Sequence, residues 1–508
     1  MATETVLHTA LTLVDQLPAL QILVSFIAAP LIVVLGSRRL AWPIAFAASA
    51  LSLVIAAILL SQVLDGSIIS YRMGGWAPPL GIEYRVDAAN AFVLFLVAAI
   101  STVVLPYART SFSKEISTRH HTAFYAAYLL CFSGLLGVTI TGDAFNVFVF
   151  LEVSSLSTYV LIAQGAERDK RALTAAYDYL IMGTVGATFF VIGIGFLYMA
   201  TGTLNLADIA DRIAEQGSNR TIRAAFAFIV VGIGLKVAMY PLHRWLPNAY
   251  TYAPSAVTAF LAATATKVAV YVMLRFIFSV FQPNFLFEFN TLEFIILPFA
   301  LIAMFACSFV AIFQSDFKMM LAFSSVAQIG YILLGISFLT ETGVTAAVAH
   351  LFNHGITKAT LFMAVGAYVF TANGSYYDTI QGLGRRMPLT SAAVVVGGLS
   401  LIGVPGTAGF ISKWVLVQGA LEKGWWPVAI LIVASSLLAV IYVWRVIEVL
   451  YMRPTPENCE VREAPMSMVV PMWIAALACI YFGLNTDLTL SAAQTAAQGL
   501  MSGSAGMR

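Results

Sequence analysis

Apolar runs of about twenty residues, each closed by a short polar or basic cluster, recur along the whole chain. A membrane-crossing helix needs about 20 mostly apolar residues. Fourteen runs qualify, centred near residues 27, 51, 97, 131, 153, 187, 232, 265, 302, 328, 357, 404, 438 and 476. The pattern predicts an all-α polytopic membrane protein. Two runs are interrupted. In the seventh, Gly232 and Gly234 precede Lys236 and Pro241 follows it; in the twelfth, Gly403, Pro405, Gly406 and Gly409 precede Lys413. Such residues free backbone groups, which a membrane tolerates where the backbone faces protein or water. Discontinuous seventh and twelfth helices are therefore expected. The longest outer loops are 61–88 and 201–221. The first holds Gly-Gly and Pro-Pro among alternating polar residues, which predicts turns or a short hairpin packed over the helices. With no low-complexity linker or soluble segment, residues 1–508 read as a single transmembrane domain.

Composition agrees. The 508 residues are 60% hydrophobic and 10% charged, against about 25% charged in soluble domains, and the mean hydropathy is +0.88. A net charge of +2 without a basic tail gives no sign of a nucleic-acid partner. Cys131, Cys307, Cys459 and Cys479 are scattered without CxxC spacing, so packing is expected rather than a disulfide or zinc site. Met1 to Leu20 carries Glu4 and Asp15 and lacks a basic leader, so the first span is expected to be retained. Loops after odd-numbered spans hold fourteen Lys or Arg, among them Arg38, Arg109, Arg168, Arg171 and Lys318; the opposite loops and the C-terminus hold seven. By the positive-inside rule the richer side is cytoplasmic and both termini face outward.

An internal repeat is also legible. Thr174-Ala175-Ala176 and Thr345-Ala346-Ala347 begin two long spans that end at residues 200–202 and 372–374. The offset corresponds to five spans. An odd number inverts the second unit, as in many transporters.

Chemistry enters with charges at membrane depth. Glu152 lies midway along the fifth span, Lys236 and Lys267 in the seventh and eighth, His350, His354 and Lys358 in the eleventh, and Lys413 in the twelfth. Glu152 and the four lysines would together cost roughly 15 kcal/mol if charged and unpaired in lipid. Simple helix-pairing is the plainer explanation of any one of them, but one acid cannot neutralise four lysines. An amine without a partner in a low dielectric gives up its proton more readily, which makes the set a candidate proton relay with Glu152 modulating Lys236. His350, His354 and Lys358 share one helix face. HLFNH lacks the glutamate of HExxH, and three cationic groups in one stripe repel a metal ion, so no metal is expected; the alternatives are packing histidines and a wet proton path. His243 and Arg244, at the inner end of the seventh span, read equally as a proton entrance or an interfacial anchor with Trp245. Arg445 and Glu448, three apart, predict a local ion pair. No nucleotide-phosphate motif, haem-attachment motif or iron–sulfur cysteine cluster occurs, and no cofactor is expected.

The stretches TGDAFNVFVFLEVSSLSTYVL, LKVAMYPLHRWLPNAYTYAPSAVTAFLAATATKVAVY and HLFNHGITKATLFM resemble the antiporter-like subunits shared by respiratory complex I and Mrp-type cation/proton antiporters. The likeness covers nearly the whole chain and extends to the D-type Mrp subunit through GGWAPPLGIEYRVDAAN. It implies fourteen helices, two inverted five-helix repeats (about 122–278 and 291–451), broken seventh and twelfth helices and a central polar axis. By motif match it places Glu152, Lys236, Lys267 and Lys413 at that axis, with the His350, His354 and Lys358 stripe alongside. Lysine at 413 departs from the complex I member with glutamate there. The absence of a long lateral helix departs from the A-type subunit and the longest complex I member.

The resulting expectation is a secondary-transporter subunit, not itself an enzyme, that moves protons for a Na⁺/H⁺ antiporter in a bacterial plasma membrane. Its implied partners are Mrp subunits of the A, B, C, E, F and G types. The alternatives are the pump module of a complex I-like oxidoreductase or membrane-bound hydrogenase, and a scaffold without transport, which leaves the cost of the intramembrane charges unexplained.

Overall fold

The computed structural model describes residues 14–217, 219–282, 286–455 and 461–502; Glu4, Cys459 and Arg508 lie outside the described residues. Among the described residues, twelve uninterrupted helices are long and apolar enough to cross a membrane: Val14–Leu35, Arg38–Val63, Ala88–Glu115, Thr118–Ile140, Ala144–Glu167, Arg171–Thr201, Ser255–Phe281, Phe289–Ile312, Phe317–Ser337, Glu341–Ala372, Trp426–Tyr451 and Met466–Leu484. Two further spans are each built from two pieces. The seventh is Arg220–Val237 followed by Trp245–Tyr252, and the twelfth is Pro388–Ile402 followed by Ala408–Glu422. Each expected centre falls inside one of these fourteen spans, residue 404 landing in the twelfth-span break.

Both breaks satisfy the backbone groups they free. The first half of the seventh span ends where Ala238 turns left-handed, at φ 61°. Its last carbonyls are taken up by the Trp245 indole, which donates to the Leu235 oxygen at 2.9 Å, and by the Met239 amide, which donates to Gly234 at 2.9 Å. The first half of the twelfth ends at Gly403, whose φ of 89° suits glycine because a Cβ would be strained there.

The eleventh span is the hub: it is buried from Gly343 to Val369 and packs against the third, eighth, tenth, twelfth and fourteenth spans. In the eighth span 94% of the apolar window is buried, against 33% in the sixth and thirteenth, so the latter two form the flanks. The sixth and seventh spans meet backbone to backbone; a Cβ on Gly232 would lie 2.6 Å from the Gly186 carbonyl oxygen. Small residues allow such approach where no hydrophobic force drives helices together.

The outer loop forms the expected hairpin: β1 (Ile69–Arg72) pairs antiparallel with β2 (Glu83–Val86). It is pinned over the fourth and fifth spans by the Gly142 amide, which donates to the Glu83 carbonyl at 2.8 Å. The second outer loop contains a helix that the hydropathy pattern did not announce, Leu206–Gln216. Asn205 caps it, and Leu206, Ile209, Ala210 and Ile213 line its buried face at helical spacing.

Two span entries are capped in the same way. Asp143 caps the fifth span and bridges to Asn205; Asp316 caps the tenth and bridges to Tyr376. The long spans beginning at Arg171 and Glu341 end at left-handed caps, Gly202 and Asn373.

One expected ion pair is absent. Glu448 pairs with Arg453 at 3.0 Å, while Arg445 donates to the Ile312 carbonyl and lies over the Tyr377 ring at 5.2 Å. An orphan carbonyl at the end of the ninth span takes up Arg445, which leaves Glu448 to the arginine beyond the helix end.

Candidate functional site: a buried lysine and histidine axis

The broken seventh span brings Lys236 into the last turn of its first half, aimed at the fifth span. There its ammonium donates to the Ser155 hydroxyl at 2.5 Å and lies 3.8 Å from the Glu152 carboxylate. Glu152 and Ser155 are presented by neighbouring turns of one helix. A water-sized cavity of about 30 Å³, lined by Lys236, Ser155, Thr158, Tyr179 and Ala265, opens beside the amine toward the eighth span. Glu152 itself is 26% exposed. It sits in a lipid- or neighbour-facing stripe with Phe145, Val149 and Leu156.

Lys267 is 1% exposed, and its ammonium donates to the Ala262 carbonyl at 2.5 Å and to Thr266 at 3.4 Å. Across from the eighth span stand the two histidines, stacked with ring centroids 6.0 Å apart. His354 is buried, and neither ring nitrogen has a protein hydrogen-bond partner. Buried polar groups of this kind are ordinarily bridged by water. Lys358 is fully buried and donates to the Leu321 carbonyl at 2.8 Å and the Ser324 hydroxyl at 2.6 Å.

His350 links this stripe to the second break. Its Nε2 lies 2.9 Å from Gln328 Oε1 and its Nδ1 lies 2.8 Å from the Ser412 hydroxyl. An amide oxygen can only accept, so Nε2 carries a proton; a hydroxyl can donate or accept, so Nδ1 can gain and lose one without breaking the other bond. The Gln328 amide nitrogen donates to the Leu401 carbonyl at 3.5 Å, and Lys413 donates to the same carbonyl at 3.1 Å. Lys413 also donates to Ile402 at 2.8 Å and to Ser436 at 3.3 Å, and stands 4.6 Å from the Tyr331 ring centroid. The lysine thus caps the end of the half-helix that precedes it, where cations are favoured.

The structure therefore brings Lys236, Lys267, His350, His354, Lys358 and Lys413 onto adjoining interior faces, with Glu152 reaching Lys236 from the flank. His243 is the exception. It sits in the seventh-span break, with Trp245–Tyr252 still between it and the inner end, because the helix restarts two residues after it. Its ring stacks on Tyr240 at 5.2 Å and its Nε2 lies 3.9 Å from Cys307. The expected position at the inner end is corrected accordingly. Ser155, Gln328 and Ser412 were not singled out by the sequence. Gln328, an amide alone in the apolar tenth span, carried a signal that could have found it; the serines, common in spans, did not.

A family model described as NADH:quinone oxidoreductase/Mrp antiporter, transmembrane, matches residues 141–439, more than half of the chain. The chain belongs to this family. Among its relatives, NADH-quinone oxidoreductase subunit N of Desulforudis audaxviator is 38% identical, over 91% of this chain and 95% of that one. The D-type subunit of the Na(+)/H(+) antiporter of Bacillus subtilis is 29% identical, over 90% and 91%. The chain also superposes on one chain of the Mrp complex from a Dietzia species with a TM-score of 0.89 at 25% identity, covering 96% and 98% of the two chains. A chain of an archaeal membrane-bound sulfane sulfur reductase gives 0.87 at 28%, covering 97% and 98%. The protein is thus a multi-pass, antiporter-like membrane component of the Mrp and complex I family, and it resembles the D-type antiporter subunit as the sequence motifs indicated.

Proposed function

We propose that the chain is the proton-translocating D-type subunit of an Mrp-type Na⁺/H⁺ antiporter, assembled with the other Mrp subunit types in a bacterial plasma membrane, both termini outward. Protons step along Lys236, Lys267, the His354–His350–Lys358 stripe and Lys413. Glu152 sets the charge on Lys236 from the flank where a neighbouring subunit would sit. Two inverted five-helix units, about 122–278 and 291–451, supply the two broken helices. The observation that carries this reading is one buried seam holding four lysines and two histidines, with Glu152 at 3.8 Å from Lys236 the carboxylate that serves it. Structural pairing alone does not account for that excess of cationic groups. Sodium extrusion belongs to other subunits. In membrane vesicles carrying the whole complex, Glu152→Gln and Lys236→Ala abolish cation/proton antiport while the complex still assembles. Full antiport in both variants would falsify the relay.

A second reading keeps the relay and changes the machine. The 38% identity to an NADH-quinone oxidoreductase subunit supports a redox-linked pump. Mass spectrometry of the purified native complex separates the two: small Mrp subunits favour the antiporter, and iron–sulfur or hydrogenase-like subunits favour the pump.

A further inference from the structure

A polar cleft of about 210 Å³ opens where the loops following the third, fifth, seventh, ninth and eleventh spans converge, on the face that the basic loops mark as inner. Its mouth carries Arg168, Asp169 and Arg171. Asp169 is paired with Arg171 at 2.6 Å, and that bond holds its carboxyl below the ordinary value, so it stays an anion tied to its own partner. Deeper in, the cleft reaches two charged side chains that the relay does not use. Glu115 is 4% exposed and Lys318 is 4% exposed. Glu115 accepts from the Ser255 amide at 2.9 Å, the Ser255 hydroxyl at 3.1 Å and the Ser111 hydroxyl at 2.6 Å. It therefore sits on the N-terminus of the eighth span as a fixed anion. Lys318 donates to the Ala253 carbonyl at 3.1 Å and lies within electrostatic reach of Glu115, Asp316 and Arg168.

Lys318 also has an address on the axis. One to two turns further along the same helix, the Leu321 carbonyl and the Ser324 hydroxyl hold the Lys358 ammonium. At 1.5 Å rise per residue, Lys318 stands about 5–9 Å from those anchors along the span. The inverted counterpart on the outer side, around Gly142, Glu83 and Leu206, encloses only about 10 Å³. The inner end of this route is open to water-sized molecules.

We infer that the cleft is the inner-side proton vestibule of the second half of the axis, with Lys318 the amine that exchanges protons between cleft water and Lys358, and Glu115 the fixed anion that positions it. The inference rests on the relay reading above. One proton moves from the Lys318 ammonium through bridging water to a neutral Lys358, and the neutral Lys318 then takes one from a hydronium ion in the cleft, leaving water; no other bond changes. Glu115 is a positioning residue, because it draws positive charge to the floor of the cleft without leaving its hydrogen bonds.

The test has two arms, both on the assembled complex. Thr251, which lines the cleft, is replaced by cysteine together with Cys459→Ser; Cys131, Cys307 and Cys479 are buried. A cationic, membrane-impermeant methanethiosulfonate reagent is expected to label Thr251→Cys at least tenfold faster in inside-out than in right-side-out vesicles, read as a mass shift. Equal or absent labelling overturns the vestibule, whatever transport does. In the second arm Lys318→Arg keeps the charge and a donor for Ala253 but cannot release its proton. Proton transport is expected to fall at least tenfold with assembly intact, whereas Lys423→Met on the opposite side stays within twofold. A full rate in Lys318→Arg overturns the exchange role and leaves Lys318 a structural cation. Failure of the relay itself reads out separately, as normal antiport in Lys236→Ala.

Discussion

Lys236 and Lys413 hold matching places beside the two broken helices, yet their charges are balanced by different means. Lys236 leans on a carboxylate: Glu152 at 3.8 Å, with Ser155 at 2.5 Å. Lys413 has no acid beside it among the described residues and instead caps the Leu401 and Ile402 carbonyls under the Tyr331 ring. A carboxylate is a whole charge that can be moved or titrated; a helix C-terminus is about half a charge, fixed by the backbone. Exposure sharpens the contrast. Glu152 is 26% exposed on the flank, whereas Lys413 is 6% exposed inside the fold. The first break thus presents a carboxylate on the flank, whereas the second is lined from within by Gln328 and His350.

The comparison breaks most readily at the lysines themselves. If both are obligatory relay stations, Lys236→Ala and Lys413→Ala each slow proton transport in vesicles by about 100-fold or more, the loss expected when about 3 kcal/mol is added to one step. A normal rate for either would remove that half from the path. Exchanging the means of balance tests the contrast directly. Gln328→Glu supplies the second break with a carboxylate beside His350, which should hold positive charge there and slow transport about tenfold or more, measured with assembly checked on native gels. A rate equal to the parent would mean that the missing acid is incidental. Gly403→Ala probes the backbone side of the second break. At φ 89° an alanine is strained by about 1–2 kcal/mol, and its Cβ would lie 3.0 Å from Lys413 Cδ. A lower melting temperature and a rate reduced about fivefold are expected, with no comparable effect from Gly195→Ala, which has open space around it. The smallest effects separate the two hydroxyls. Ser155→Ala removes a 2.5 Å bond and should slow transport about threefold to tenfold, the equivalent of one hydrogen bond. Ser436→Ala removes a 3.3 Å contact from a lysine with two carbonyl partners and should stay within about twofold.

Much of the fold was legible because hydropathy is local. Fourteen apolar runs, two of them punctuated by glycine and proline beside a lysine, correspond to the observed spans and their breaks. The axis residues were legible for a similar reason, since a charge inside an apolar run stands out whatever surrounds it. Arg445 shows where that reasoning stops. Spacing paired it with Glu448, but the nearest unmet acceptor was the Ile312 carbonyl, 133 residues away in sequence. The helix over Leu206–Gln216 escaped for a different reason: it is amphipathic and short, so a membrane-length apolar window averages its buried face away.

How often the chain crosses the membrane, where its helices break and which side chains carry charge at depth all follow from the order of residues alone, because each depends on residues within about 20 positions of one another. What each charge meets follows only from the packed fold. Ser155 reaches Lys236 across 81 residues and Ser412 reaches His350 across 62. Contacts of that separation are set by which helix faces pack together, and the near-uniform apolarity of these spans leaves that choice to side-chain shape and polar pairing rather than to any period in the sequence.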